Sequence, residues 1–363
     1  MRIDEQSSSS VTRPAVHTTE NHYPVGIPSS VPTPEEWSSE FPSLGILSGT
    51  DGFAKLLETS DGLFHTGTDG VSAIAATGDG KVEFVAFPTH TLAHVKSSMG
   101  YPAYYPIQPV VVEYPLKAVL MDLDGTSVHS EVFWIWIIQM TMASLLDNPK
   151  FELEDADLPF VSGHSVSEHL LYAIAKYAPG KSVEDAREFY FQHVHHEMRE
   201  ILEGRGRPDA FKPAPYLKEF LLDLKARGIK IGLVTSGLYE KAMPEIISAF
   251  RTLKMGDPLE FYDAIITAGF PMRKGIETGT LGELSPKPHP WLYAEACRVG
   301  LGISAKDRTR VLGIEDSGAG VCSIRLANYS CCGISGGNII ESGTRGLCWE
   351  YRDTLTEILQ LIR

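Results

Sequence analysis

Ala118-Val-Leu-Met-Asp-Leu-Asp-Gly-Thr126 is a run of apolar residues that stops at two acids and a glycine. An uninterrupted apolar run of this length reads as a strand buried on both faces, the kind found in parallel sheets. In an extended chain alternate side chains share a side, so Asp122 and Asp124 point the same way. Gly125 permits a tight turn directly after them. Taken alone, the segment also suits an ordinary Asx turn or a calcium loop. A calcium loop wants a glutamate at its twelfth position, and the twelfth residue from Asp122 is Phe133.

Working outward, similar apolar runs occur at Ile231 to Val234, Ala264 to Thr267 and Val311 to Ile314, with a weaker one at Cys331 to Ile334. Helical patterns separate them, which predicts a doubly wound, Rossmann-like parallel α/β sheet. The first two runs are about 100 residues apart in strongly helical sequence, including Ser167 to Tyr177, Val183 to Leu202 and Tyr216 to Arg227. One crossover helix cannot use that length, so an inserted helical subdomain is expected. Three more strand ends carry chemistry. Thr235-Ser236-Gly237 offers a hydroxyl and backbone N–H groups suited to an anion. Ser285-Pro-Lys-Pro-His-Pro290 presents Lys287 between two stiff residues. Glu315-Asp316-Ser-Gly-Ala-Gly320 places two acids before a glycine-rich turn. Convergence at the carboxyl edge of one sheet puts four carboxylates beside one lysine, a repulsive cluster that a hard divalent cation resolves.

These four segments, in this order, resemble the haloacid dehalogenase superfamily, in its branch with a helical cap after the first strand, as in phosphoglycolate phosphatase and β-phosphoglucomutase. The resemblance spans Leu116 to the carboxyl terminus. It implies Asp122 as nucleophile and Asp124 as general acid and base, with Thr235, Ser236 and Lys287 holding the phosphoryl group. It also implies magnesium bound by Asp122, Asp124 through its backbone carbonyl, Asp316 and Glu315. The substrate would be a small phosphorylated metabolite, hydrolysed through an aspartyl phosphate. Asp124 argues against carbon–halogen cleavage, because dehalogenases lack the second acid. A sugar phosphomutase is the alternative within the superfamily, although Trp134 and Val166 stand where mutases carry a histidine and an arginine. A binding or regulatory protein built on residues 41–114 is the alternative outside it. His164 falls at the cap's specificity loop and is a candidate substrate contact.

The remaining sequence divides by composition. Residues 1–40 are rich in Ser, Thr and Pro and are expected to be a disordered tail. Residues 41–114 are expected to form a small α+β unit: helices over Gly52 to Glu58 and Thr91 to Lys96, a hairpin turning at Gly78-Asp79-Gly80, and a strand at Val110 to Val112. This unit is expected to modulate access or assembly without supplying catalytic groups. Residues 115–127 and 220–363 are assigned to the catalytic core and 128–219 to the cap. The chain has 363 residues, 32 basic and 46 acidic, for a net charge of −14. So acidic a surface repels phosphate backbones and anionic membranes, which argues against nucleic-acid and membrane partners. Val132 to Leu146 is apolar but only 15 residues long, short of the roughly 20 a membrane span requires, and reads as a buried helix. Five cysteines without a CxxC pair argue against a disulfide framework, and a cytoplasmic location is expected. His193, His195 and His196 read as a helix face rather than a metal site. The sequence says nothing of oligomeric state.

Overall fold

A computed structural model describes residues 36–96, 103–160, 166–207, 210–268 and 284–362. Strands β1 (Ser38–Phe41) and β2 (Gly45–Ser48) form an antiparallel hairpin. Strands β3 (Ala54–Leu56), β4 (Ala73–Ala76), β5 (Val82–Ala86), β6 (Thr91–Val95) and β7 (Ala103–Pro106) follow as an antiparallel sheet in sequence order. The hairpin at Gly78-Asp79-Gly80 joins β4 to β5 as expected, but three other readings are corrected. Gly52 to Glu58 is not helical, since three of its residues pair with β4 as an edge strand. Thr91 to Lys96 is also a strand: Thr91, Ala93 and Val95 point into the core, while His94 faces Glu83 across the ladder. Cross-strand packing overrides a weak helical preference there. Val110 to Val112 pairs with no strand, bracketed as it is by Pro109 and Pro115, which cannot donate to a ladder. The unit is therefore β rather than α+β among its described residues, and its first strand begins inside the stretch expected to be a tail.

The run at 118 forms β8 (Ala118–Asp122). A two-residue ladder between β9 (Val128–His129) and β10 (Lys212–Pro213) frames the cap, which contains α1 (Glu131–Leu145), α2 (Val166–Tyr177) and α3 (Val183–Leu202). In α1, Phe133, Ile137, Ile138, Thr141, Met142 and Leu145 are buried at helical spacing. The chain then returns through α4 (Leu217–Ala226), β11 (Lys230–Thr235), α5 (Tyr239–Leu253), α6 (Pro258–Phe261) and β12 (Ala264–Thr267). After α7 (Trp291–Glu295) come β13 (Val311–Glu315), α8 (Gly318–Leu326), β14 (Ser330–Ile334), β15 (Glu350–Arg352) and α9 (Leu355–Leu361).

The central sheet is parallel with order β12-β11-β8-β13-β14-β15. Its first strand lies inside the sheet and the chain winds outward in both directions, so the order reverses between β8 and β13. In such sheets the crevice at the carboxyl ends beside the reversal is where ligands bind. Residues of β8 alternate between two apolar clusters: Val119 and Met121 join the cap, α4 and α5, while Ala118 and Leu120 join the other face. That second cluster also holds Phe41, Leu47, Phe53 and Phe84 of the N-terminal unit beside Leu292, Tyr293 and Val321 of the core. At about 1.5–3 kcal/mol per buried large side chain, burial of these residues is a substantial contribution, shared between packing within the N-terminal unit and packing on the core.

Candidate active site

Register brings the acids together. Asp122 ends β8 opposite Val234 of β11, and Glu315 ends β13, whose Ile314 lies opposite Met121. Asp122 is 5% exposed, Glu315 0% and Asp316 8%. Lys287 reaches into this group from the loop before α7. Its ammonium pairs with Asp122 Oδ1, donates to Glu315 Oε1 at 2.6 Å and lies 3.4 Å from the Val234 carbonyl. Glu315 has further partners: Tyr293 donates to Oε1 at 2.8 Å, and the Ser317 hydroxyl and backbone N–H donate to Oε2 at 3.0 and 3.2 Å. Asp316 receives a long side-chain hydrogen bond, from Thr126 Oγ1 at 3.4 Å. Gly125 has φ +85° and lies so close that a Cβ there would overlap the Asp316 carboxylate, which is why the turn requires glycine.

The electrostatics follow from this imbalance. Burial, with Glu315 nearby, raises Asp122 well above the usual carboxylate range against the pull of Lys287. The same causes push Asp316 up to about 8. Burial works against the Lys287 ammonium, but Asp122 and Glu315 outweigh it and hold the charge firmly. Asp122, Glu315 and Asp316 each offer an oxygen, and these atoms lie within 4.8 Å of one another. A compact oxygen donor set that is short of positive charge fits a hard divalent cation.

Asp124 has a different environment. Ser130 donates to its Oδ1 at 2.7 Å, and Lys241 of α5 stands 3.3 and 3.4 Å from its two oxygens. Burial alone would raise this carboxyl, but Lys241 and Ser130 outweigh it and keep it below the usual range. Thr235 is buried and lines the same cleft, its hydroxyl accepting from Gly237 N–H at 2.9 Å. The Ser236 hydroxyl accepts from the Lys287 backbone N–H at 3.0 Å and so joins two of the motif loops. All open on a cleft of about 2090 Å3 between the cap and the sheet edge. His164 lies outside the described residues. His193 is hydrogen-bonded to Ser144 at 2.9 Å, and His195 lines the cleft.

The family model for haloacid dehalogenase-like hydrolases matches residues 116–328. The chain belongs to this family. No curated protein matches its sequence. Among solved structures, it is similar to a predicted phosphoglycolate phosphatase from Haemophilus somnus, at 17% identity and a TM-score of 0.52. That similarity covers 69% of this chain and 99% of the other. CbbY from Rhodobacter sphaeroides, solved with phosphate, is 17% identical with a TM-score of 0.48, covering 67% of this chain and 96% of that one. At this identity the likeness is one of fold. No described helix is long and apolar enough to cross a membrane.

Within this haloacid dehalogenase-like site, sequence reasoning missed Lys241 and Glu245, one turn apart on α5. Glu245 is fully buried, accepts from Trp134 Nε1 at 3.1 Å and lies 3.8 Å from Lys241. Burial and Asp124 raise its carboxyl well above the usual range, against Lys241. Its Oε2 is buried with no hydrogen-bond partner, a position that disfavours the ionised carboxyl. A signal was available, since Glu245 falls among Ala242, Met243, Ile246 and Ala249 on the buried face of the helix.

Proposed function

We propose that this hydrolase is a magnesium-dependent phosphatase that cleaves a small phosphorylated metabolite through an aspartyl phosphate. One observation carries this reading: Asp122 and Asp124 open on the same cleft, one paired with a buried lysine and short of hydrogen bonds, the other held ionised by Lys241 and Ser130. Asp122 attacks phosphorus, forming an acyl–phosphate bond as the ester P–O bond breaks. Asp124, ionised at rest, receives the proton that Glu245 carries and gives it to the departing alkoxide, leaving Glu245 ionised. Asp124 then takes a proton from water and returns it to Glu245, while the water oxygen attacks phosphorus and releases inorganic phosphate and the free Asp122 carboxylate. Lys287 and Thr235 hold the equatorial oxygens. Asp122, Asp316 and the Asp124 carbonyl would hold magnesium, while Glu315, with both oxygens occupied, anchors Lys287. Bound there, magnesium supplies positive charge to the phosphoryl oxygens.

The test is turnover of a panel of phosphate esters by the full chain, with and without magnesium, followed by acid quench and mass spectrometry of the peptide containing Asp122. Hydrolysis with a phosphate mass on that peptide supports the reading. A panel without turnover, or turnover with the label elsewhere, overturns it.

A further inference from the structure

The family match begins at residue 116, yet the catalytic cleft does not end there. Lys81, from the turn between β4 and β5 of the N-terminal sheet, lines the same cleft as Asp122, Lys287 and Asp316. We propose that Lys81 is a specificity-determining residue of this site, and that it selects phosphate monoesters whose leaving group carries a second anionic group, a carboxylate or another phosphate. This inference rests on the phosphatase reading above.

The turn is built to hold its place. Thr77 Oγ1 donates to Asp79 Oδ1 at 2.6 Å, the Lys81 N–H donates to the same oxygen at 3.1 Å, and Gly80 N–H bonds the Thr77 carbonyl at 2.7 Å. Gly78 N–H donates to the Ser342 carbonyl at 2.9 Å, tying the tip to the core. The fit is close enough that a Cβ on Gly78 would overlap the Glu341 carbonyl. The core segment it grips borders the site, for Gly336, Gly337 and Asn338 line the cleft and Asn338 Oδ1 accepts from Gly318 N–H at 2.8 Å. Lys81 is therefore presented from a braced turn that docks on the catalytic sheet.

Its charge is also available. Lys287 is engaged by Asp122 and Glu315, and Lys241 by Asp124 and Glu245. Lys81 has Asp79 at 4.0 Å, a loose pair, with its side chain 40% exposed. Arg199 and Lys212 of the cap region line the cleft as well. Residues 1–114 carry 13 acids and 5 bases in the sequence, and Lys81 is one of those five bases. A transferring phosphoryl group is already served by Lys287. A cation at the rim meets the other end of the ester, where it distinguishes a charged leaving group from a neutral one.

The experiment compares full-length wild type, Lys81→Ala and Lys81→Arg on phenyl phosphate, on its carboxyphenyl counterpart and on a bisphosphate. Lys81→Ala should raise KM about tenfold on whichever doubly charged ester wild type prefers, the loss of roughly one charge-assisted contact. Its kcat should stay within about twofold, as should KM for phenyl phosphate, and Lys81→Arg should restore affinity. The preferred ester tells carboxylate from phosphate recognition. Equal KM changes on charged and neutral esters, or none on any, overturn the role of Lys81 while leaving the phosphatase reading intact. A wild type without turnover on all three overturns both.

Discussion

Asp157 in the cap and Asp316 in the cleft are both buried acids, 0% and 8% exposed, yet their carboxyls are driven in opposite directions. Burial opposes ionisation of Asp157, but Lys176, Tyr177 and Tyr172 donate to it, as does the Glu154 N–H at 2.9 Å, and it is brought down to about 2. Asp316, with Thr126 at 3.4 Å and Glu315 as neighbour, is raised to about 8. The same chain thus surrounds one buried acid with donors and leaves another short of them. A carboxylate with every lone pair satisfied is a structural tie, whereas one left short of donors is available to an incoming cation or phosphoryl group.

The largest effect that would break this contrast is at Asp122. Asp122→Asn should lower kcat by more than about a thousandfold with an unchanged circular dichroism spectrum, because the amide keeps the shape and removes the nucleophile. It also relieves repulsion within the cluster, so its melting temperature should equal or exceed that of wild type. Activity within tenfold of wild type would remove Asp122 from the chemistry.

Next in size is the competition between proton and metal. Chelation should abolish turnover and magnesium should restore it, while calcium, with longer bonds and more ligands, should not. Burial and Glu315 raise the Asp316 carboxyl to about 8, so a cation competes there with a proton. Magnesium affinity should therefore weaken by about tenfold per pH unit as pH falls from 8 to 6.5, read by calorimetry. An affinity independent of pH in that window would mean that Asp316 is not a ligand.

The smallest effect belongs to the cap. Asp157 has a folded value near 2, below its ordinary 3.8, so its contribution to stability is complete above about pH 4 and is lost as pH falls from there toward 2. Asp157→Asn should lower the melting temperature at neutral pH by about 2–4 °C and flatten that part of the acid dependence. Turnover should stay within about threefold. A large loss of activity with little change in stability would reverse the assignment of roles.

Much of this was readable in advance, for reasons that also explain what was not. Asp122, Thr235 and Asp316 sit at strand ends, where buried apolar residues give way abruptly to polar ones, and the doubly wound sheet leaves them one meeting place, which Lys287 reaches from the loop before α7. Helices α2 and α3 were legible from helical texture, and α1 from its uncharged apolar run. The N-terminal strands were not, because Ala54–Leu56 and Thr91–Val95 owe their conformation to partners across the sheet rather than to local preference. Strand β15 escaped notice for the same reason, being three residues that lean on β14. Lys241 and Glu245 were hidden inside an amphipathic helix, and Lys81 could be placed in the cleft only once the docking of one sheet on another was known.

The apolar seam between the two sheets also has a history in time. The faces of Phe41, Phe53 and Phe84 are covered by a cluster that includes Leu292, Tyr293, Val321 and Leu347. At about 5–20 residues per second of synthesis, the N-terminal sheet waits on the order of 10–50 s for its cover to leave the ribosome. Through that interval its apolar face lacks the cover that the catalytic half later provides.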